Sequence, residues 1–149
     1  MTGESDRKRL LADALKMLAR REHTRQELQE KLLSRSESRE WVESVLHELS
    51  SGGWLSDERA AEALVRQHQG RHGVLRIRHE MQRRGVPEHL SDTLLGALRE
   101  TELAAAQAVW NKKFSTPPTD AHERARQARY LQNRGFSVET IRKVLRSGE

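Results

Sequence analysis

The chain has 149 residues, no cysteine, 35% hydrophobic and 33% charged residues, six aromatics and a formal net charge of +5. Without cysteine it has no disulfide scaffold, thiol nucleophile or Cys-ligated metal or iron–sulfur site. A hydrophobic share below the usual ~45–50% argues for a thin, extended core, and the apolar runs are too short to cross a bilayer.

Taken in chain order, the apolar spacing predicts nine short helices. Leu11, Leu15 and Leu18 repeat at helical spacing after Ser5-Asp6, and Arg20-Arg21 close that helix, where cations suit the dipole. Thr24-Arg25-Gln26-Glu27 reads as a capping box that starts a second helix, with Leu28 and Leu32 on one face. After the serine-rich link Ser34–Ser38, a third stripe runs through Trp41, Val42, Val45, Leu46 and Leu49 and stops at Gly52-Gly53. Ser56-Asp57-Glu58 starts a fourth helix, whose face of Ala60, Ala63 and Leu64 is small. Val74, Ile77 and Met81 carry the fifth, between the Gly70/Gly73 turn and Gly85. Pro87 suits the first position of a sixth, built on Leu90, Leu94 and Leu98. Thr101 is placed to cap a seventh, with Leu103, Ala106, Trp110 and Phe114. Thr116-Pro117-Pro118-Thr119-Asp120 is a linker. An eighth helix runs from about Ala121 to Arg134 and stops at Gly135, and Ser137 caps a ninth with Ile141, Val144 and Leu145 inside. Nothing alternates as a strand would.

An internal repeat supports this reading. Met81-Gln82-Arg83-Arg84-Gly85-Val86 matches Leu131-Gln132-Asn133-Arg134-Gly135-Phe136, and the two glycines lie 50 residues apart. Leu28–Leu33 reads as a first copy in which the serine-rich link replaces the glycine turn. The expected fold is all-α: three tandem three-helix repeats, over residues 1–55, 56–100 and 101–149, stacked into an elongated, curved array.

Charge is unevenly spread. Residues 1–55 are neutral overall, residues 56–100 carry +1 and residues 101–149 carry +4. Arg76, Arg78, Arg83 and Arg84 surround the core stripe of the fifth helix, and Arg124, Arg126, Arg129 and Arg134 do the same on the eighth. Lys112-Lys113 sit beside Phe114 near the end of the seventh. These stretches lack the interleaved glutamates of a merely solvated face, and their spacing can follow a phosphate backbone or an acidic protein surface. Arginine outnumbers lysine 21 to 6, which suits either partner, although a GC-rich genome raises arginine usage as well. Tyr130 beside Arg129 and Phe114 beside Lys113 are the aromatics placed for base stacking, and the others read as core anchors.

No enzyme signature appears. His68 and His72 have the spacing of two metal ligands on a helix, but Gly70 lies between them and no Glu follows His68, so they read as solvated turn histidines. Glu43 and His47 beside Trp41 read as a surface pair. There is no Walker sequence, no dinucleotide fingerprint and no pair of acids around a pocket. The residues imply neither a cofactor nor a metal.

From Leu15 to Leu145 the chain resembles the RecX family, bacterial regulators of the RecA recombinase. The resemblance rests on five segments in order: Ala19-Arg20-Arg21-Glu22-His23-Thr24-Arg25-Gln26-Glu27-Leu28 with Lys31-Leu32; Gly53-Trp54-Leu55-Ser56-Asp57-Glu58-Arg59; Arg76-Ile77-Arg78-His79-Glu80-Met81-Gln82-Arg83-Arg84-Gly85-Val86; Lys113-Phe114; and Arg129-Tyr130-Leu131-Gln132-Asn133-Arg134-Gly135-Phe136. Three positions depart from the family pattern: Ala60 stands for an aromatic, the loop Gln69–Val74 lacks the common Lys-Gly…Pro form, and Gln127 stands where an aliphatic residue is favoured.

The resemblance implies tandem three-helix repeats. It also implies a non-enzymatic role: a monomeric cytoplasmic protein that lies in the groove of the RecA filament on single-stranded DNA. There it limits filament growth, ATPase and strand exchange, and so modulates recombination and the SOS response. Arg76, Arg78, Arg83, Arg84, Lys112, Lys113, Arg124, Arg126, Arg129 and Arg134 are the candidate contacts to RecA or to DNA phosphates. The alternative is a DNA-binding protein of helix-turn-helix type, against which no single helix stands out as a recognition helix.

Overall fold

A computed structural model describes residues 3–146. The described residues form eight α-helices and no strand: α1 (Gly3–Arg20), α2 (Arg25–Leu33), α3 (Arg39–Ser51), α4 (Asp57–His68), α5 (Val74–Arg84), α6 (Glu88–Lys113), α7 (Ala121–Asn133) and α8 (Val138–Arg146). They are eight rather than nine because the expected sixth and seventh helices are one, the 26-residue α6. Thr101 does not cap a new helix there. Its hydroxyl donates to the Leu98 carbonyl (3.2 Å) within the continuous helix.

The chain divides into two compact units. One comprises Met1–Ala63 with Gln82–Pro87, the other Leu64–Met81 with Glu88–Glu149, so the division falls inside α4 and α5.

In the first unit α1, α2 and α3 pack on one another around Leu10, Ala14, Leu28, Leu32, Val42, Val45, Leu46 and Leu49. The buried stripe of α1 is turned from the one expected: Leu10 and Ala14 are buried, whereas Leu15 is 36% exposed. The capping box at Thr24 is formed in both directions, between the Thr24 hydroxyl and the Glu27 amide and between the Thr24 amide and Glu27 (both 3.1 Å). His23 beside it is buried; its Nδ1 lies 3.0 Å from the Arg21 carbonyl and its Nε2 3.0 Å from Lys31 Nζ. That geometry fits a neutral ring that donates from Nδ1 and accepts at Nε2, and burial correspondingly lowers its pKa.

In the second unit α6, α7 and α8 enclose Ala106, Trp110, Leu131, Phe136, Ile141, Val144 and Leu145. Gln127, an odd residue for its place in the repeat, is buried and has a structural task. Its Oε1 accepts the Trp110 indole N–H (2.8 Å), and its Nε2 donates to the Thr116 carbonyl (3.1 Å), which ties the linker to the core. Towards the start of α6 the buried residues are Ser91, Leu95 and Leu98, with Leu90 and Leu94 only half-buried.

Glu102 lies at the centre of this unit, only 6% exposed. Its carboxylate accepts from the Val74 amide (2.7 Å) at the start of α5. It also accepts from the Ser137 hydroxyl (2.8 Å), the Ser137 amide (3.3 Å) and the Thr140 hydroxyl (2.5 Å) at the start of α8. Two helix N-termini thus share one negative charge, the sign their dipoles favour. Burial would raise the pKa of Glu102, but the hydrogen bonds from Thr140, Val74 and Ser137 outweigh it and hold the carboxyl below its ordinary range.

The same segment docks through backbone. The Gly73 amide donates to the Arg134 carbonyl (2.8 Å) and the Leu75 amide to the Gly135 carbonyl (3.0 Å). Gly135 adopts φ +87°, and a Cβ there would collide with Arg76.

Replacing Glu102 with Ala is expected to destabilise the protein by roughly 2–3 kcal/mol, the cost of stranding buried donors. Glu102 has a lowered native pKa, so its contribution is present above the unfolded value and is lost as pH falls through the native one. Urea unfolding of wild type and Glu102→Ala at neutral and acid pH measures both: the difference between the two proteins should shrink in acid.

Candidate polyanion-binding cleft

The second unit carries a cleft of about 560 Å3 between the end of α6, the C-terminal half of α7 and the turn at Gly70-Arg71. Arg71, Lys112, Lys113 and Arg134 line it, with Tyr130 among them, and none of these four cations forms an ion pair among the described residues. The arginines of the first unit contrast with this. Arg7 pairs with Glu48 (2.7 Å), Arg21 with Glu27 (2.7 Å), Arg25 with Glu43 (2.9 Å) and Arg59 with Glu22 (3.0 Å).

Aromatic rings order part of the cleft. Phe114 and Tyr130 meet edge to face, with centroids 5.4 Å apart. Lys113 Nζ and the Arg134 guanidinium each lie 5.3 Å from the Tyr130 centroid, and the Arg126 guanidinium lies 5.1 Å from that of Phe114. Arg134 also donates to the Tyr130 hydroxyl (3.0 Å). The sequence segments Lys113-Phe114 and Arg129–Phe136 are therefore brought to one place. Tyr130 and Phe114 are half-buried and braced by cations, which makes them supports for charge rather than open stacking platforms.

His68 and His72 are not solvated turn histidines. His68 is buried, and its Nδ1 lies 3.0 Å from Nδ1 of His72, with the two rings edge to face. Burial, then the charges of Arg76, His68, Arg134 and Arg71, push the His72 pKa from the ordinary 6.5 to about 4. Arg71, Arg76 and Arg134 thus add their positive charge to the effect of burial at this histidine. Among the described residues no three or more His, Asp or Glu side chains cluster as a metal site would need.

The ten candidate cations do not form one surface. Lys112, Lys113 and Arg134 line the cleft, and Arg76 lies near it through His72. Arg126 is held by Glu123 through two hydrogen bonds (3.0 and 2.9 Å), which compensates its charge locally. Arg124 and Arg129 are exposed on α7. Arg78 belongs to a different groove, between α5, α6 and α8. Arg83 and Arg84 lie in the first unit, where the Arg84 carbonyl accepts from the Thr24 hydroxyl. Arg71 was not among the candidates. Its signal was an arginine at the tip of a Gly-x-x-Gly turn, where nothing in a helical pattern marks it.

A cation-lined cleft on an all-helical scaffold is chemically suited to an anionic partner. Sequence models of three consecutive domains of one family match the chain: the RecX first three-helix domain at residues 11–49, the second at 56–95 and the third at 100–145. The chain is similar to the regulatory protein RecX of Leptothrix cholodnii, with 44% identity over 89% of this chain and 85% of that one. It is 42% identical to that of Chromobacterium violaceum, over 95% and 91% of the two chains. Its fold is similar to the crystal structure of RecX from Lactobacillus salivarius, with a TM-score of 0.81 at 18% identity over 97% of each chain. A second crystal structure, of a regulatory protein RecX, matches with a TM-score of 0.78 at 20% identity, over 93% of this chain and 72% of that one. The chain belongs to the RecX family, whose matched members are named regulatory proteins. No helix among the described residues is long and apolar enough to cross a membrane.

His72 is expected to titrate near pH 4. Its neutral form is the native one, so the unfolded chain takes up more protons, and stability falls as pH drops from 6.5 towards 4. NMR titration of the imidazole checks this: Arg134→Ala should raise the midpoint, and so should saturation of the cleft with a polyanion.

Proposed function

We propose that this protein is a negative regulator of RecA. It lodges as a monomer in the groove of the RecA filament on single-stranded DNA and inhibits filament extension, ATPase and strand exchange. In the cytoplasm this tempers recombination and the SOS response. The observation that carries the reading is the unpaired cation cluster of Arg71, Lys112, Lys113 and Arg134 on a member of the RecX family. Cations with no ion pair of their own lose none when they meet an acidic surface or a phosphate backbone. Inhibition then follows from occupancy of the groove, with no catalytic step by this chain.

The test is RecA ATPase on single-stranded DNA with this protein added well below the RecA concentration. The paired reversal Arg71→Glu/Lys112→Glu is the comparison, since both residues are exposed and Arg126 is already compensated by Glu123. Wild type is expected to suppress turnover, and the reversal to need at least about tenfold more protein, because two cations become two like charges. Intact turnover alongside binding to bare DNA with a sequence preference would instead favour the helix-turn-helix alternative.

A further inference from the structure

Only a few large apolar side chains are exposed among the described residues, and two of them share one groove. Leu75, near the start of α5, is 53% exposed, and Leu103, on α6, is 43% exposed. They open into a groove of about 330 Å3 floored by Val74 and Glu102. A chain with only 35% hydrophobic residues thus leaves two leucines outside its core, where a core contact would bury them.

The rim of the groove carries three cations and one acid, Glu139. Arg78 from α5, Arg99 from α6 and Lys143 from α8 surround the leucines. Neither Arg78 nor Arg99 forms an ion pair among the described residues, and Lys143 reaches Glu139 at 3.5 Å. Glu102 adds little negative field, because its charge is committed to the N-termini of α5 and α8. The two leucines and the three rim cations come from three helices that Glu102 locks together, so the groove is pre-formed.

We propose that this groove docks a short acidic protein segment that carries an aliphatic side chain. The aliphatic group covers Leu75 and Leu103, and the flanking carboxylates meet Arg78, Arg99 and Lys143. A nucleic acid backbone would supply the anions and leave the leucines uncovered, so the complementarity selects protein. The proposal deepens the regulator reading and rests on it for its partner: the groove is a contact to the filament's protein, separate from the cation-lined cleft.

Two full-length variants outside that cleft, Leu103→Ser and Arg99→Glu, test it, each first checked for wild-type helicity and unfolding midpoint. The probe is a fluorescent synthetic peptide rich in Asp and Glu with leucines at helical spacing, followed by anisotropy. Its control carries Ser for Leu. Wild type should bind the leucine peptide, and each variant should weaken binding about fivefold or more, as a central interface contact does. Affinity for a single-stranded DNA oligomer should stay unchanged in both.

In the RecA ATPase assay both variants should then suppress less than wild type. If they suppress equally well, the groove does not contact the filament and the proposal fails while the regulator reading stands. If wild type itself does not suppress, the regulator reading fails and the peptide measurement alone judges the groove. Peptide binding that is insensitive to both variants, displacement of the peptide by the DNA oligomer, or Leu103-dependent dimerisation in sedimentation would each overturn the proposal.

Discussion

Glu102 is the contact on which the second unit turns. Its side chain gathers donors from the first turns of α5 and α8, among them the buried Val74 amide. The first unit solves the same problem in the same way. The Arg25 amide at the start of α2 donates to Asp57 (2.7 Å), and the side chain of Gln26 crowds Gly85, as Arg76 crowds Gly135. In both, a helix N-terminus is held by a carboxylate and pressed against the turn glycine of a later segment. A glycine is needed at each because φ is positive (+77° and +87°) and a Cβ has no room. The short, weakly apolar helices are therefore stabilised by tertiary capping as much as by burial.

That economy shapes function. With several acids of the first unit engaged by its own arginines, and Glu102 spent on helix ends, Arg71, Lys112, Lys113 and Arg134 of the second unit form no ion pair among the described residues. Burial first, and the charges of Arg76, His68, Arg134 and Arg71 after it, hold His72 neutral down to about pH 4. One scaffold so presents two different chemistries: a cleft of cations braced by Tyr130 and Phe114, and a leucine groove with an arginine rim.

Much of this was legible in the sequence. The capping box at Thr24, the glycine stops at 85 and 135, the linker at 116–120 and the all-helical class follow from local rules that the structure obeys. The break expected at Thr101 failed because a threonine makes an equally good bond to its own helix, and nothing nearby interrupts the helix. The buried α1 stripe differs from the expected one because a run of leucines offers several registers, and only packing chooses Leu10 and Ala14. Gln127 and Glu102 are opaque in the sequence because their roles depend on partners 11 to 38 residues away. The cations were found as residues but not as a surface: sequence proximity grouped Arg76 with Arg84, whereas the fold sets Arg76 near Arg71 and Arg134.

The most direct test is residue-resolved footprinting of this protein on a RecA filament assembled on single-stranded DNA, by hydroxyl-radical or hydrogen-exchange protection. Protection concentrated on the Gly70-Arg71 turn, the end of α6 around Lys112-Lys113 and the end of α7 at Tyr130–Arg134 is the predicted result. Protection confined to α1–α3, or none on the filament, would contradict the account.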